Sequence, residues 1–189
     1  MRSLHSLCRG VAAGLVLCGV ARTAERPNIL FIVSEDNGPE LGCYGDPYAQ
    51  TPTLDRLAET GVRFQNAFVT YSVCSPSRAS FYTGRHITQN GHLGLAPHTF
   101  AMYEAYPTFY QILHDAGSRT GLIGKLHITP GSAVDAYVDY RAITSANFHE
   151  DGRNMTNYAG KATEFMRGDY AGADPDAPFL LTINYPDAH

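Results

Sequence analysis

Three observations predict an α/β fold with a largely parallel sheet. Two short, continuous apolar runs, residues 28–34 and 179–184, have the composition of strands buried on both faces. A third extended run, residues 120–127, lies between them. Segments carrying helix start and stop signals alternate with all three, the order expected of strands joined by helical crossovers.

The first run, Asn28-Ile29-Leu30-Phe31-Ile32-Val33-Ser34, ends in Glu35-Asp36-Asn37-Gly38. Acidic residues just past the C-terminal end of such a strand sit where open α/β sheets place their ligands. Thr51-Pro52 then opens a helix, with Leu54, Leu57 and Ala58 as its expected inner stripe and Gly61 as its stop. Pro76 marks the start of a second helix, and Thr83-Gly84 closes it with a residue suited to a C-terminal cap. A third helix begins near Pro107, with Phe109, Ile112, Leu113 and Ala116 expected inward and Gly117 past its end. The strand over residues 120–127 follows. Between Gly131 and Asp176 only residues 158–166 have helical character, and residues 179–184 form the last strand.

With 44% hydrophobic and 17% charged residues, the 189-residue chain has an ordinary globular composition. Residues 1–24 differ from the rest. Arg2 and Arg9 precede an apolar stretch from Val11 to Val20, and small residues surround Ala21 and Ala24. This is the pattern of a secretory signal peptide, its apolar part short for a membrane span. Cleavage after residue 24 would remove three arginines and no acid, moving the formal net charge from −4 to −7. Such a balance argues against a nucleic-acid partner, and no stable membrane insertion is expected after cleavage. An anionic substrate would have to be drawn by a local cluster of cations in a pocket. Cys43 and Cys74 remain in the mature chain. An exported compartment would permit a disulfide, which would consume Cys74, so a free Cys43 is expected.

Cys74 stands at the N-terminus of the second helix, an end that exposes unpaired N–H groups and a partial positive charge. Arg78, four residues on, lies one turn away on the same side, where a guanidinium can hold an anion in fixed geometry. A small buried apolar cysteine is the other use of such a position. Glu35 and Asp36 are the hard oxygen ligands that Ca²⁺ or Mg²⁺ requires, although paired acids also serve as solvated turns. Lys125 and His127 are two apart in an extended run and are expected on one face, able to hold an anion and exchange protons with it. The same pair would suit the polar face of an edge strand. Asn154-Met155-Thr156 is a glycosylation sequon.

The run Cys74-Ser75-Pro76-Ser77-Arg78, followed by Thr83-Gly84-Arg85, resembles the Cys-x-Pro-Ser-Arg-x4-Thr-Gly-Arg signature of the type I sulfatases. The likeness extends from about residue 26 to the end. It includes Arg26-Pro27-Asn28-Ile29-Leu30, the acidic pair, residues 51–58, Phe64-Gln65-Asn66-Ala67-Phe68 and Gly121-Leu122-Ile123-Gly124-Lys125-Leu126-His127. Residues 75–80, 89–95, 116–125 and 152–156 are most similar to the N-sulfoglucosamine sulfohydrolase branch.

This resemblance implies an alkaline-phosphatase-like three-layer sandwich, incomplete at its C-terminus here. Residues 25–189 would be the N-terminal part of a catalytic domain whose remaining metal ligands lie beyond His189. The 189-residue piece is expected to be inactive alone. By resemblance, Cys74 becomes Cα-formylglycine, made by a formylglycine-generating or equivalent enzyme. Its hydrate would bind the metal and attack sulfur. Glu35 and Asp36 would hold the cation, normally calcium, with Glu35 standing where the family usually has Asp. Arg78 and Lys125 would stabilise the diol and sulfonyl oxygens, and His127 would accept the proton of the remaining hydroxyl. His189, in Asp187-Ala188-His189, matches an Asp-Pro-His loop and would contact sulfate or protonate the leaving group. The expected substrate is a sulfated saccharide, N- or O-sulfated, in a periplasmic, secreted or lysosome-like compartment. A phosphate or phosphonate monoester hydrolase of the same superfamily and a non-catalytic sulfated-glycan-binding relative are the competing functions.

Overall fold

The computed structural model describes residues 26–144 and 153–186. The proposed signal segment and His189 therefore lie outside the described residues. Four parallel strands form one sheet: β1 (Ile29–Val33), β2 (Arg119–Gly124), β3 (Tyr140–Ala142) and β4 (Phe179–Asn184), in the order β1-β4-β2-β3. Among the described residues, six α-helices accompany them: α1 (Pro52–Thr60), α2 (Cys74–Thr83), α3 (Ile87–Asn90), α4 (Phe109–Asp115), α5 (Ser132–Asp135) and α6 (Met155–Arg167).

Alternate residues of the central strands feed two cores, as the two-residue repeat of a strand requires. Leu122 and Leu180 meet Ala79 and Tyr82 of α2, Tyr110 of α4 and Val134 of α5. Ile123, Leu181 and Ile183 meet Tyr158, Ala162 and Phe165 of α6 on the opposite face. The result is three layers, helices on both sides of a parallel sheet. Gly121 lets α6 approach, since a Cβ there would come within 2.8 Å of the Phe165 ring.

Register brings the strand ends into line. Val33 pairs with Asn184, and Asn184 with Gly124. The segments after β1, β2 and β4 thus leave the sheet side by side at its C-terminal edge, where ligands bind in such folds.

Several expectations are corrected. β1 was read as buried on both faces, yet Ile29, Leu30, Phe31 and Ile32 are 37–55% exposed because β1 forms an edge of the described sheet. Phe31 makes edge-on contacts with Phe81 and Phe109. The α1 stripe is also exposed, with Leu54 and Leu57 facing out. That helix is tied to the turn at Gly42–Tyr44, where the Asp55 carboxylate accepts from the Cys43 amide at 2.7 Å. In α4 the expected stripe holds in part, with Phe109 and Leu113 packed against the core. Tyr110 is fully buried with its hydroxyl on Thr182, whereas Ile112 and Ala116 are exposed. Thr108 caps this helix through the Gln111 amide. The weakly patterned stretch holds α5, β3 and the whole of α6; α6 includes the helical residues 158–166 and begins at a cap where Asn154 accepts from the Thr156 and Asn157 amides.

Candidate active site

α2 places the signature as expected. Cys74 is its first residue after an extended Val73, and Gly84 ends it in the left-handed conformation, φ 66°. Cys74 and Cys43 are both free thiols and both half-buried. The strand before it ends at Val33, and Asp36 adopts a left-handed φ of 51°, an unusual conformation for a side-chain-bearing residue.

The ligand atoms of Glu35, Asp36 and Cys74 all lie within 4.8 Å of one another. Cys74 Sγ is 3.8 Å from Asp36 Oδ1. They border an open cleft of about 460 Å³ lined by residues 33–38, Val69, residues 72–74, Ser77, Arg78 and Phe81. Asp36 is exposed there and Glu35 is buried.

Glu35 receives two cations. Arg78 Nη2 donates to Oε2 at 2.6 Å and Lys125 Nζ to Oε1 at 2.6 Å, with all three side chains almost entirely buried. Burial alone would raise the Glu35 pKa. Hydrogen bonds from Cys74 and Lys125 and the charge of Arg78 outweigh it, holding the carboxyl at about 2. The Cys74 thiol moves the other way, to about 11, through burial and then the hydrogen bond and negative charge of Glu35. An unmodified Cys74 is thus a protonated, weakly nucleophilic thiol at neutral pH.

The expected alternation does not set Lys125 and His127 on one strand face. β2 ends at Gly124, whose φ of 91° turns the chain out of the sheet, and both residues lie in the following loop. Lys125 is drawn inward to Glu35, while His127 is half-buried with a left-handed φ of 56°. Among the described residues, Glu35, Asp36, Cys74, Arg78 and Lys125 form one group.

Three residues around this group carried little signal. Asn184 was read as the end of a strand, yet its amide donates at 2.8 Å to the Lys125 carbonyl and to the Tyr82 hydroxyl. Tyr82 sits in the signature helix at a position the motif leaves open. His92 is fully buried and braces the Lys125 loop: its Nε2 accepts from the Thr129 amide at 3.1 Å, and its Nδ1 donates to the Gly94 carbonyl at 2.9 Å. A polar residue closing an apolar run was the one available hint for Asn184.

A parallel sheet that presents a cysteine-headed helix and a carboxylate pair at its C-terminal edge has the alkaline-phosphatase-like α/β architecture. The chain belongs to the sulfatase family, whose family model, described as Sulfatase, matches residues 27–187. It is 34% identical over 177 residues to human N-sulphoglucosamine sulphohydrolase, covering 93% of this chain and 34% of that protein. It is also 34% identical over 195 residues to an N-acetylglucosamine-6-O-sulfatase of Bacteroides thetaiotaomicron, covering 94% of this chain and 34% of that one. The chain therefore spans about a third of the length of these relatives. Its fold is similar to the phosphonate monoester hydrolase of Agrobacterium radiobacter, with a TM-score of 0.64 and 19% identity over 87% of this chain and 41% of that one. Among the described residues, no helix is long and apolar enough to cross a membrane.

Proposed function

We propose that the whole protein hydrolyses sulfate from a sulfated sugar, with a formylglycine made from Cys74 as its nucleophile. One observation carries this reading: Cys74 heads α2 in one cluster with Glu35 and Asp36, directly beside the Arg78 and Lys125 cations.

The donor chemistry supports the modification. Ca²⁺ and Mg²⁺ take oxygen ligands, and a thiol is a soft ligand ill suited to them. Two carboxylates plus Cys74 fit a hard cation once the sulfur is replaced by the oxygen of a hydrated aldehyde. Each Glu35 oxygen has a second lone pair beyond its ion pair, so the carboxylate can serve cations and metal together. A divalent cation held by Glu35 and Asp36, calcium by resemblance, would supply Lewis acidity at the reacting oxygens.

Arg78 and Lys125 keep Glu35 ionised and set positive charge beside the oxygens that gain negative charge. Once formed, the hydrated aldehyde would supply an oxygen nucleophile for sulfur and, in its second hydroxyl, a proton whose loss would let sulfate leave. His127, in the loop after β2, is the proposed acceptor of that proton, and His189 the proposed partner of the sulfate or leaving group.

Residues 1–24 support export, and residues 25–189 are assigned to the N-terminal part of the catalytic domain. The likeness to N-sulphoglucosamine sulphohydrolase favours an N-sulfated glucosamine, and the likeness to the 6-O-sulfatase keeps the O-sulfate ester beside it. The whole protein, co-expressed with a formylglycine-generating enzyme, should release sulfate from N-sulfated or 6-O-sulfated glucosamine, and Cys74→Ala should abolish release. Faster hydrolysis of a phosphate or phosphonate monoester than of either sulfate would overturn the assignment.

A further inference from the structure

Asn184 closes β4 and is wholly buried. Its main chain and its side chain grip the backbone of one residue, Lys125, on either side of its Cα. The Lys125 amide donates to the Asn184 carbonyl at 3.2 Å, and Asn184 Nδ2 donates to the Lys125 carbonyl at 2.8 Å. The same Nδ2 donates its second hydrogen to the Tyr82 hydroxyl at 2.8 Å.

The Lys125 carbonyl also accepts from Arg78 Nη1 at 3.1 Å, so both of its lone pairs are in use. Lys125 Nζ and Arg78 Nη2 meet again on the two oxygens of Glu35. These bonds form a closed ring from Lys125 main chain to Arg78 to Glu35 to Lys125 ammonium, and Asn184 anchors that ring to the sheet.

The amide can face only one way. A carbonyl accepts and never donates, so nitrogen must face Lys125. Oδ1 is left buried with no hydrogen-bond partner among the described residues. A leucine would fill similar space without an unpaired oxygen, and buried polar atoms of this kind call for an explanation. The nitrogen's two bonds supply it.

We infer that Asn184, backed by Tyr82, is a positioning residue that fixes the Lys125 and Arg78 cations against Glu35, an inference that rests on the sulfatase reading above. Asn184 is not among the residues that line the cleft, and it acts through the Lys125 carbonyl it holds.

The test uses the whole protein with Asn184→Leu and Tyr82→Phe. Rates are normalised to the formylglycine content of each variant by mass spectrometry, so that failed modification does not pass for failed positioning. Asn184→Leu should lower kcat about 10–100-fold and change KM less than about threefold, the loss typical when partners of site ligands are removed. Tyr82→Phe keeps the ring and should lower kcat roughly 3–10-fold with a melting temperature within about 2 °C of wild type. Should Asn184→Leu fail to fold, Tyr82→Phe decides alone. A kcat within about twofold of wild type in the folded variants, or a loss confined to KM, would overturn the inference. Calcium affinity by calorimetry reads the same geometry without turnover and should weaken about tenfold in Asn184→Leu. An inactive wild-type enzyme would contradict the functional reading alone, and the calcium titration would then decide the positioning role, with unchanged affinity refuting it.

Discussion

At Glu35 one buried carboxylate balances two buried cations, so its removal costs more than the bonds it makes. Glu35→Ala would leave Arg78 and Lys125 facing each other without a counter-ion. Breaking a buried pair this way destabilises by roughly 3–5 kcal/mol, and urea unfolding of the variant beside wild type should show a loss of that size. The pH dependence has a definite sign. The Glu35 carboxyl titrates at about 2 in the fold against 4.5 as a free group, so its contribution is complete above pH 4.5 and disappears as pH falls toward 2. Wild type should therefore lose stability more steeply than Glu35→Ala across that window in acid titrations followed by circular dichroism. Equal slopes would contradict the ion-pair account. Glu35 and Asp36 were legible as a candidate cation site because two acids followed an apolar run. The double salt bridge was not legible, since it joins residues 43 and 90 positions apart in sequence.

At the level of elements, the end of β2 is set by Gly124. A Cβ there would lie 2.1 Å from the Asn184 carbonyl oxygen, and its φ of 91° is one that side-chain-bearing residues rarely adopt. Gly124→Ala should cost more than about 1 kcal/mol in thermal or urea unfolding and should lower activity of the whole enzyme by displacing Lys125. The loop beyond it leans on His92, whose pKa burial lowers from 6.5, against the opposing bond to Gly94. The unfolded chain binds a proton near 6.5 that the fold resists, so stability is full above that pH and falls as pH drops below it. Melting temperatures between pH 7 and 5.5 should decline in wild type and stay flatter in His92→Gln. Among the elements, β4 and α2 were readable because continuous apolar residues, or a proline and a glycine at fixed places, determine them locally. The inner stripe of α1 and half of that of α4, Ile112 and Ala116, were misjudged for a different reason. Which face of a short helix is covered depends on what lies against it, here the Gly42–Tyr44 turn for α1 and the hydroxyl pair Tyr110 and Thr182 for α4.

For the whole molecule, parallel register is what turns scattered motifs into one site. Segments that follow β1, β2 and β4 are far apart in sequence and become neighbours because Val33, Asn184 and Gly124 align. The alternation of strands and helices made the layered fold readable, but strand order was not, and the exposure of β1 follows from that order. Nearly every functional assignment depends on Cys74, since the carboxylates, the cations and the cleft all converge on that position. The most direct measurement is mass spectrometry of the tryptic peptide spanning residues 64–78 from the whole protein, made in a host that modifies a control sulfatase. The account predicts formylglycine at Cys74 in most of the protein. An intact cysteine there, with the control fully converted, would contradict it.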